Sequence, residues 1–368
     1  MSATLLIHEI SSFLESKAPL SLQESYDNSG LLIGNHGNEI SKALICLDCT
    51  EEVLDEAITT NSQMIIAHHP LIFSGIKKLT EKNEVERCII KAIKNDIAIY
   101  AIHTNLDNIL HGVNAKIAEK LGLMDSKILQ PKSNLLLKLA VFVPKNHVDM
   151  VANALYESGA GHIGNYDSCS FRSEGKGTFR ALEGATPFVG NSNEKHSETE
   201  IKLEVILKKH QSAAIISAMN AAHPYDEVAF DLIPLTNSSN DIGAGQIGSL
   251  ANEMTPDEFI AHLKSSLNLD TIKSTPFTSQ SIRKIAICGG SGAFLTQSAK
   301  AQKADVYISA DFKYHDFFEA DNQLCLMDIG HFESERFTID LIHDWLSEKF
   351  PTFALLKTEV NTNPVNYL

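Results

Sequence analysis

Between residues 42 and 127 short apolar runs alternate with amphipathic stretches. KALICLDCT, QMIIA and IAIYAIHT read as strands, and EEVLDEAITTN, EVERCIIKAIKN and GVNAKIAEKLGL as helices, the last closing near Gly122. Strands alternating with helices predict a largely parallel sheet covered on both faces. The alternation returns after residue 280. KIAICGG, DVYISAD and LCLMDIG read as strands and ERFTIDLIHDWLSEKF as a final helix, striped by Phe337, Leu341, Ile342, Trp345 and Leu346. Between the halves the pattern changes. KLAVFVPK, HVDMVANALYESGA, CSFRSEG with TFRALEG, EIKLEVILKK, QSAAIISAMNAA and EVAFDLIPL run strand, helix, strands, helix, strand, the ferredoxin-like order. The fold class is therefore α/β: a layered domain with mostly parallel sheets, formed by residues 1–130 and 237–368, interrupted by an inserted ferredoxin-like α+β domain at 131–236. The exit TNSSND reads as a polar linker and PFVGNSNEKHSE as a loop.

Composition narrows the partners. A formal charge of −15 argues against a nucleic-acid groove, which needs clustered Lys and Arg to neutralise phosphates. The six Cys are scattered, and only Cys46 and Cys49 form a CxxC. That pair lies in an apparent strand, where residues three apart face opposite ways, so both read as buried apolar residues of a reduced cytoplasmic protein. The start, TLLIHEISSFLES, has no basic segment and reads as an amphipathic helix and not a signal peptide. No apolar run approaches the roughly 20 residues of a membrane span.

Candidate chemistry gathers just past the ends of three predicted strands. His68 and His69 follow QMIIA, Asp107 follows IAIYAIHT, and His331 with Glu335 follow LCLMDIG. In open α/β sheets ligands bind at the carboxyl ends of strands, so three such segments together point to one site. Each has a plainer explanation when taken alone. Adjacent His can be hydrogen-bonded loop residues, Asp107 a helix cap or Asx-turn, and Glu335 a complement to a helix dipole. Together they offer three imidazoles and two carboxylates without a thiolate. That donor set suits zinc first, with manganese, iron, cobalt or nickel as alternatives. His331 and Glu335, four apart at the start of a helix, can reach a common ion, and a carboxylate such as Glu335 can bridge two ions roughly 3.5–4 Å apart. Two divalent ions per chain are expected.

Two glycine clusters differ in context. Gly243–Gly248 matches GxGxxG but follows a polar linker, which excludes a dinucleotide fingerprint. Gly289, Gly290 and Ser291 follow a strand directly, and their amides either cradle an anion or simply make a tight turn. SADFKYHDF adds Asp311 and Lys313 as substrate-binding candidates. It also adds His315, which either shuttles protons or fixes a metal ligand.

In order along the chain, YDNSGLLIG, IIAHHPLIF, IHTNLDNILHGVN, GAGQIG, ICGGSG, DFKYHD and DIGHFESE make this sequence resemble the GTP cyclohydrolase 1 type 2 homologues, also called NGG-interacting-factor-three-like proteins. The insert, with NYDSCSFRSEGKGTFRALEGATPFVG and AHPYDEVAFDL, is similar to the extra module of the longer members, of the nitrogen-regulatory and copper-tolerance type. The resemblance implies a homohexameric ring of two stacked trimers with a dinuclear centre, one ion held by His68 and His331, the other by His69 and Asp107, with Glu335 bridging. This chain departs at Tyr26 (often Trp), Gln246 (usually Arg) and Ala310 (frequently Gly). The expected function is a dinuclear metal-dependent hydrolase acting on a nucleotide-like or other small anionic substrate, with Glu335 and His315 as catalytic candidates. The alternative is a non-catalytic metal-binding scaffold whose insert senses a ligand.

Overall fold

The computed structural model describes residues 3–368. The chain divides into two compact units, one made of the residues up to Gln130 together with Asp241–Leu368, the other of Pro131–Asn240.

The first unit contains two main sheets. In the first, Ala354–Lys357, Lys42–Cys46, Met64–Ala67 and Ala98–Ala101 lie parallel in that order, with Gly30–Ile33 antiparallel at the edge. Met64–Ala67 and Ala98–Ala101 are buried at every position. This follows from their unbroken apolar sequence, because a parallel strand between two helix layers has no solvent face. The helices Glu51–Thr59 and Glu84–Lys94 start where the sequence supplies acceptors: the side chains of Thr50 and Asn83 cap the amides of Val53 and Glu86. Their apolar positions, Val53, Leu54, Ala57, Cys88 and Ala92, pack on Leu44, Ile65 and Ile99.

The second sheet runs Lys273–Ser274, Cys325–Asp328, Val306–Ala310, Ile282–Ser291, Ser238–Met254, Met124–Ser133. Its middle three pairings comprise two parallel ones and one antiparallel. Each sheet is thus mixed: the first is mostly parallel, as the alternation predicts, while the second has two parallel pairings flanked by antiparallel ones. Gly30–Ile33 and Ser238–Met254 arrive without a crossover helix within their own sheet, and such strands are free to join antiparallel. The C-terminal strand Ala354–Lys357 has no counterpart in the sequence reading. It pairs with Lys42–Ile45 and so ties the end of the chain to the first sheet.

Three local expectations change. TNSSND is not a free linker, since the strand Ser238–Met254 begins inside it. The presumed loop at 187–198 contributes the start of the strand Lys195–Lys208, whose first residues pair with Gly177–Arg180. The final helix is split: His331–Glu335 forms one short helix, entered through Gly330 at φ +90°, and Thr338–Lys349 a second.

The second unit has one four-stranded antiparallel sheet. Its strands, in spatial order, are Phe230–Leu235, Leu136–Pro144, Lys195–Lys208 and Ser170–Arg180, so the fourth strand lies beside the first and the third beside the second. The helices Val148–Glu157 and Ser212–Ala222 cover one face through Val151, Leu155, Ile215 and Met219, which meet Leu139, Val141, Leu203 and Val205. Among the described residues no helix is long and apolar enough to cross a membrane.

Candidate metal centre

Strand ends and two short helices deliver the cluster. His68 and His69 leave the strand Met64–Ala67, Asp107 closes the helix Thr104–Asp107 just after Ala98–Ala101, and His331 and Glu335 bracket the helix after Cys325–Asp328. The last arrives from the other sheet of the same unit. Gly290 shapes this approach. It sits at φ +63°, and a Cβ there would come within 2.3 Å of Glu335 Oε1, so only glycine lets the helix come so close.

The geometry centres on Glu335, which is almost fully buried. His69 Nε2 and His331 Nε2 each lie 3.0 Å from its Oε2. His68 Nε2 lies 3.8 Å from Oε1 and 3.7 Å from Asp107 Oδ1. Two of the donor groups that result include a carboxylate, His69 with His331 and Glu335, and His68 with Asp107 and Glu335, the ligand atoms of each within 4.8 Å of one another. Glu335 belongs to both. The grouping pairs His69 with His331 and His68 with Asp107, the reverse of the partnership implied by the resemblance.

The far ring nitrogens are all tied. His68 Nδ1 donates to the Ile102 carbonyl at 2.8 Å, His69 Nδ1 to Asp48 at 2.7 Å and His331 Nδ1 to Asp311 at 2.6 Å. Such acceptors fix the tautomer with its proton on Nδ1 and leave Nε2 to face the centre, as in carboxylate–histidine–metal arrangements. Most telling are two orphans. His68 Nε2 and Asp107 Oδ1 are buried and have no hydrogen-bond partner. A buried polar atom left unpaired costs about 1–3 kcal/mol, and a cation between these two would satisfy both. Asp107 is therefore neither helix cap nor turn former.

The electrostatics agree. Burial and the neighbouring charge of Glu335 hold the Asp107 carboxyl well above the usual carboxylate range. Burial acts on Glu335 in the same direction, yet hydrogen bonds from His331 and His69 outweigh it and hold that group well below its ordinary value. Burial lowers His68. His69, against its own burial, is raised to about 10 by Asp48 and Glu335, and His331 to about 9 chiefly by Glu335. One negative charge held on Glu335 among cationic imidazoles is how such a cluster balances without an ion. Two divalent cations would displace those protons and ionise Asp107 as well. Cys288 stays a thiol, pushed up to about 12 by burial and by the charges of Asp107 and Glu335, so the donors are nitrogen and oxygen alone. The residues fit divalent metal.

A family model described as Duf34/NIF3 (NGG1p interacting factor 3) matches residues 5–364. The chain belongs to the NIF3 family. Family relatives named GTP cyclohydrolase 1 type 2 homolog, from Staphylococcus epidermidis and Bacillus subtilis, are each 37% identical to it, covering 98% of this chain and 99% and 98% of theirs. A solved structure of a Bacillus cereus protein related to NIF3 is 38% identical with a TM-score of 0.86, and one from Staphylococcus aureus is 32% identical with a TM-score of 0.77, each covering 99% of both chains.

Within this NIF3 chain the remaining candidates fall in several places. Asp311 supports His331. The Gly289 amide donates to Asn114 and the Gly290 amide to Ser334, so both amides are engaged within the fold. Ser291 is exposed at the strand end. The backbone amide of Lys313 bonds Asp316, and exposed His315 packs against Tyr314 and Phe318, contacts that do not reach the cluster. Gln246 is buried, its amide bonded to the Leu110 carbonyl. The CxxC expectation also changes. Cys46 ends its strand and Cys49 lies beyond it, so both join one core cluster instead of opposite faces, and burial raises both thiols.

Sequence reasoning missed His103 and its support. His103 offers a ring nitrogen to the His68–His69 group, and its Nδ1 donates to Asp27 at 2.8 Å. Asp27 also accepts from the Thr104 amide and hydroxyl, and these bonds, with the one from His103, keep its carboxyl below the ordinary range despite burial. Beside this ring, Phe73 lies 6.1 Å away and stacks on exposed Tyr26 at 6.3 Å. YDN and HTN both stood in quoted motifs. Their separation of 76 residues gave no spacing to read.

Proposed function

We propose that this chain is a dinuclear metal-dependent hydrolase acting on a small, planar, anionic substrate of nucleotide type. The observation that carries the reading is the orphaned pair His68 Nε2 and Asp107 Oδ1 facing a carboxylate that two further imidazoles already share. His69, His331 and Glu335 Oε2 would hold one divalent ion, with His68, Asp107 and Glu335 Oε1 holding the other. Zinc is the first choice and manganese, iron, cobalt or nickel follow. When bound, such a pair lowers the pKa of water and polarises an electrophile.

The chain's own residues supply the rest. Asp48 and Asp311 orient two ligands. His103, oriented by Asp27, is the group best placed to accept a proton beside His68 and His69, and takes the role first given to His315. Tyr26 and Phe73 offer exposed ring faces on which a planar base can stack. The name carried by the relatives makes GTP the first substrate to try. A cytoplasmic homohexamer of two stacked trimers completes the proposal.

Metal-loaded protein assayed against a nucleotide panel that includes GTP tests it. Turnover is expected to require metal, to vanish in Glu335→Gln with the melting transition retained, and to fall strongly in His103→Ala. Metal bound at both sites without turnover on any member would favour a metal-binding scaffold instead.

A further inference from the structure

The second unit holds a cavity of about 970 Å³ on the sheet face turned away from its helices. Glu200 and Phe142 reach it from adjacent strands, and Phe179, Phe188 and Tyr225 bound it. Glu200 is the unusual element. It is only 8% exposed, although a carboxylate out of water requires charge or hydrogen-bond compensation. Tyr225 supplies part of this, its hydroxyl donating to Glu200 Oε1 at 3.0 Å. Burial and that carboxylate push the phenol upward, so it remains a donor.

Two nearby cations are engaged with other carboxylates. Lys202, two residues along the same strand, pairs with Glu204 at 3.4 Å, and Lys145 pairs with Glu174 at 2.7 Å. The lining carries five carboxylates against three Lys or Arg, so the cavity is set against anions. On the neighbouring strand Gly177 leaves space: a Cβ there would come within 1.9 Å of Glu200 Oε2. The rings form a continuous wall, with Tyr225 6.2 Å from both Phe179 and Phe188. Aromatic faces beside a buried carboxylate attract an organic cation, through ring quadrupole and charge together.

We propose that this cavity binds a small organic cation, an alkylguanidinium or alkylammonium, whose head meets Glu200 while its stem lies against Phe179, Phe188 and Tyr225. The site is built from residues of the second unit alone, and the proposal does not depend on the reaction proposed for the first.

The test titrates the full metal-loaded chain with butylguanidinium, butylammonium and butyrate, matched in length, followed by ligand-detected NMR. Both cations are expected to bind and butyrate to fail. Glu200→Gln, which keeps an acceptor for Tyr225, is expected to weaken cation binding about tenfold or more, and Phe188→Ala, at an exposed ring, several-fold. Metal content should be unchanged in both. If Glu200→Gln does not fold, Tyr225→Phe with Phe188→Ala carries the test. The proposal is overturned by butyrate binding as well as the cations, by no cation binding at millimolar concentration, or by affinity indifferent to these substitutions. It is also overturned if the substitutions change the oligomeric mass while no cation binds, which would assign the face to a second copy of this chain.

Discussion

The five-stranded sheet of the first unit and the four-stranded sheet of the second use their strands in opposite ways. Met64–Ala67 and Ala98–Ala101 are buried along their whole length, so their chemistry appears only where they stop, at His68, His69, His103 and Asp107. From residue 201 to the end of Lys195–Lys208 buried and half-buried positions alternate, with Ile201, Leu203 and Val205 in the core and Glu200 and Lys202 on the other face. A doubly covered strand concentrates function at its end. A singly covered strand has a whole face available for it.

The largest effects should separate the two sheets. Leu203→Ala removes a fully buried side chain from the second unit's core and is expected to cost about 2–5 kcal/mol of that unit's stability. Metal content should not change. Asp107→Asn should do the reverse. It should remove one of two ions, yet raise the melting temperature of the metal-free protein near pH 7, because Asp107 resists ionisation where it sits. Metal analysis and calorimetry on both variants decide. A metal-free Asp107→Asn protein that melts lower than its parent would contradict the account of a carboxylate held against its preference.

A middle-sized effect concerns the acceptors behind the imidazoles. Asp48→Asn and Asp311→Asn should each weaken metal binding by about 10- to 100-fold, the usual cost of losing the group that fixes a ligand's tautomer. Competition against a chelator measures it. Equal affinity in parent and variants would mean that the first unit's precision resides in the strand ends alone.

The same contrast explains what the sequence made legible. The five candidate ligands stood out because each follows a doubly buried strand, whose apolar run is visible and whose end is abrupt. The strand Ala354–Lys357 escaped notice because TFALLK is short and its partner lies some 300 residues earlier. The last helix is split at Arg336 and Phe337, inside a stretch whose periodicity reads as one helix. His103 and Asp27 come from separate elements and meet only by folding, as do Glu200 and Tyr225. Partnership across a fold leaves no spacing in the chain.

A smaller and more gradual effect is expected from pH. His69 and His331 have folded values near 10 and 9, above the ordinary imidazole value of about 6.5. In the metal-free protein their protonated forms therefore contribute stability fully below about pH 6.5. That contribution is lost as pH rises through 9 and then 10. Ions compete with those protons, so metal affinity should climb over the same interval. Melting curves of metal-free and loaded protein from pH 6 to 10 should diverge, the former falling relative to the latter. Parallel curves would show that these imidazoles carry no linked protons.

The smallest effect should come from the CxxC. Cys46 and Cys49 share one core with Leu44, Val53 and Ile65, and burial keeps both protonated. Replacing both with Ala removes two sulfur atoms from packed positions, a loss of about 1 kcal/mol each by analogy with deleting a buried methylene. The nearest polar side chain of the site, Asp48, lies between them in sequence and bonds outward to His69 and Thr362. The double variant should melt slightly lower and retain its full metal content. Loss of an ion from it would mean that the core beneath Asp48 positions the His69 side of the centre, and that the division between buried strand and functional strand end is less sharp than the geometry indicates.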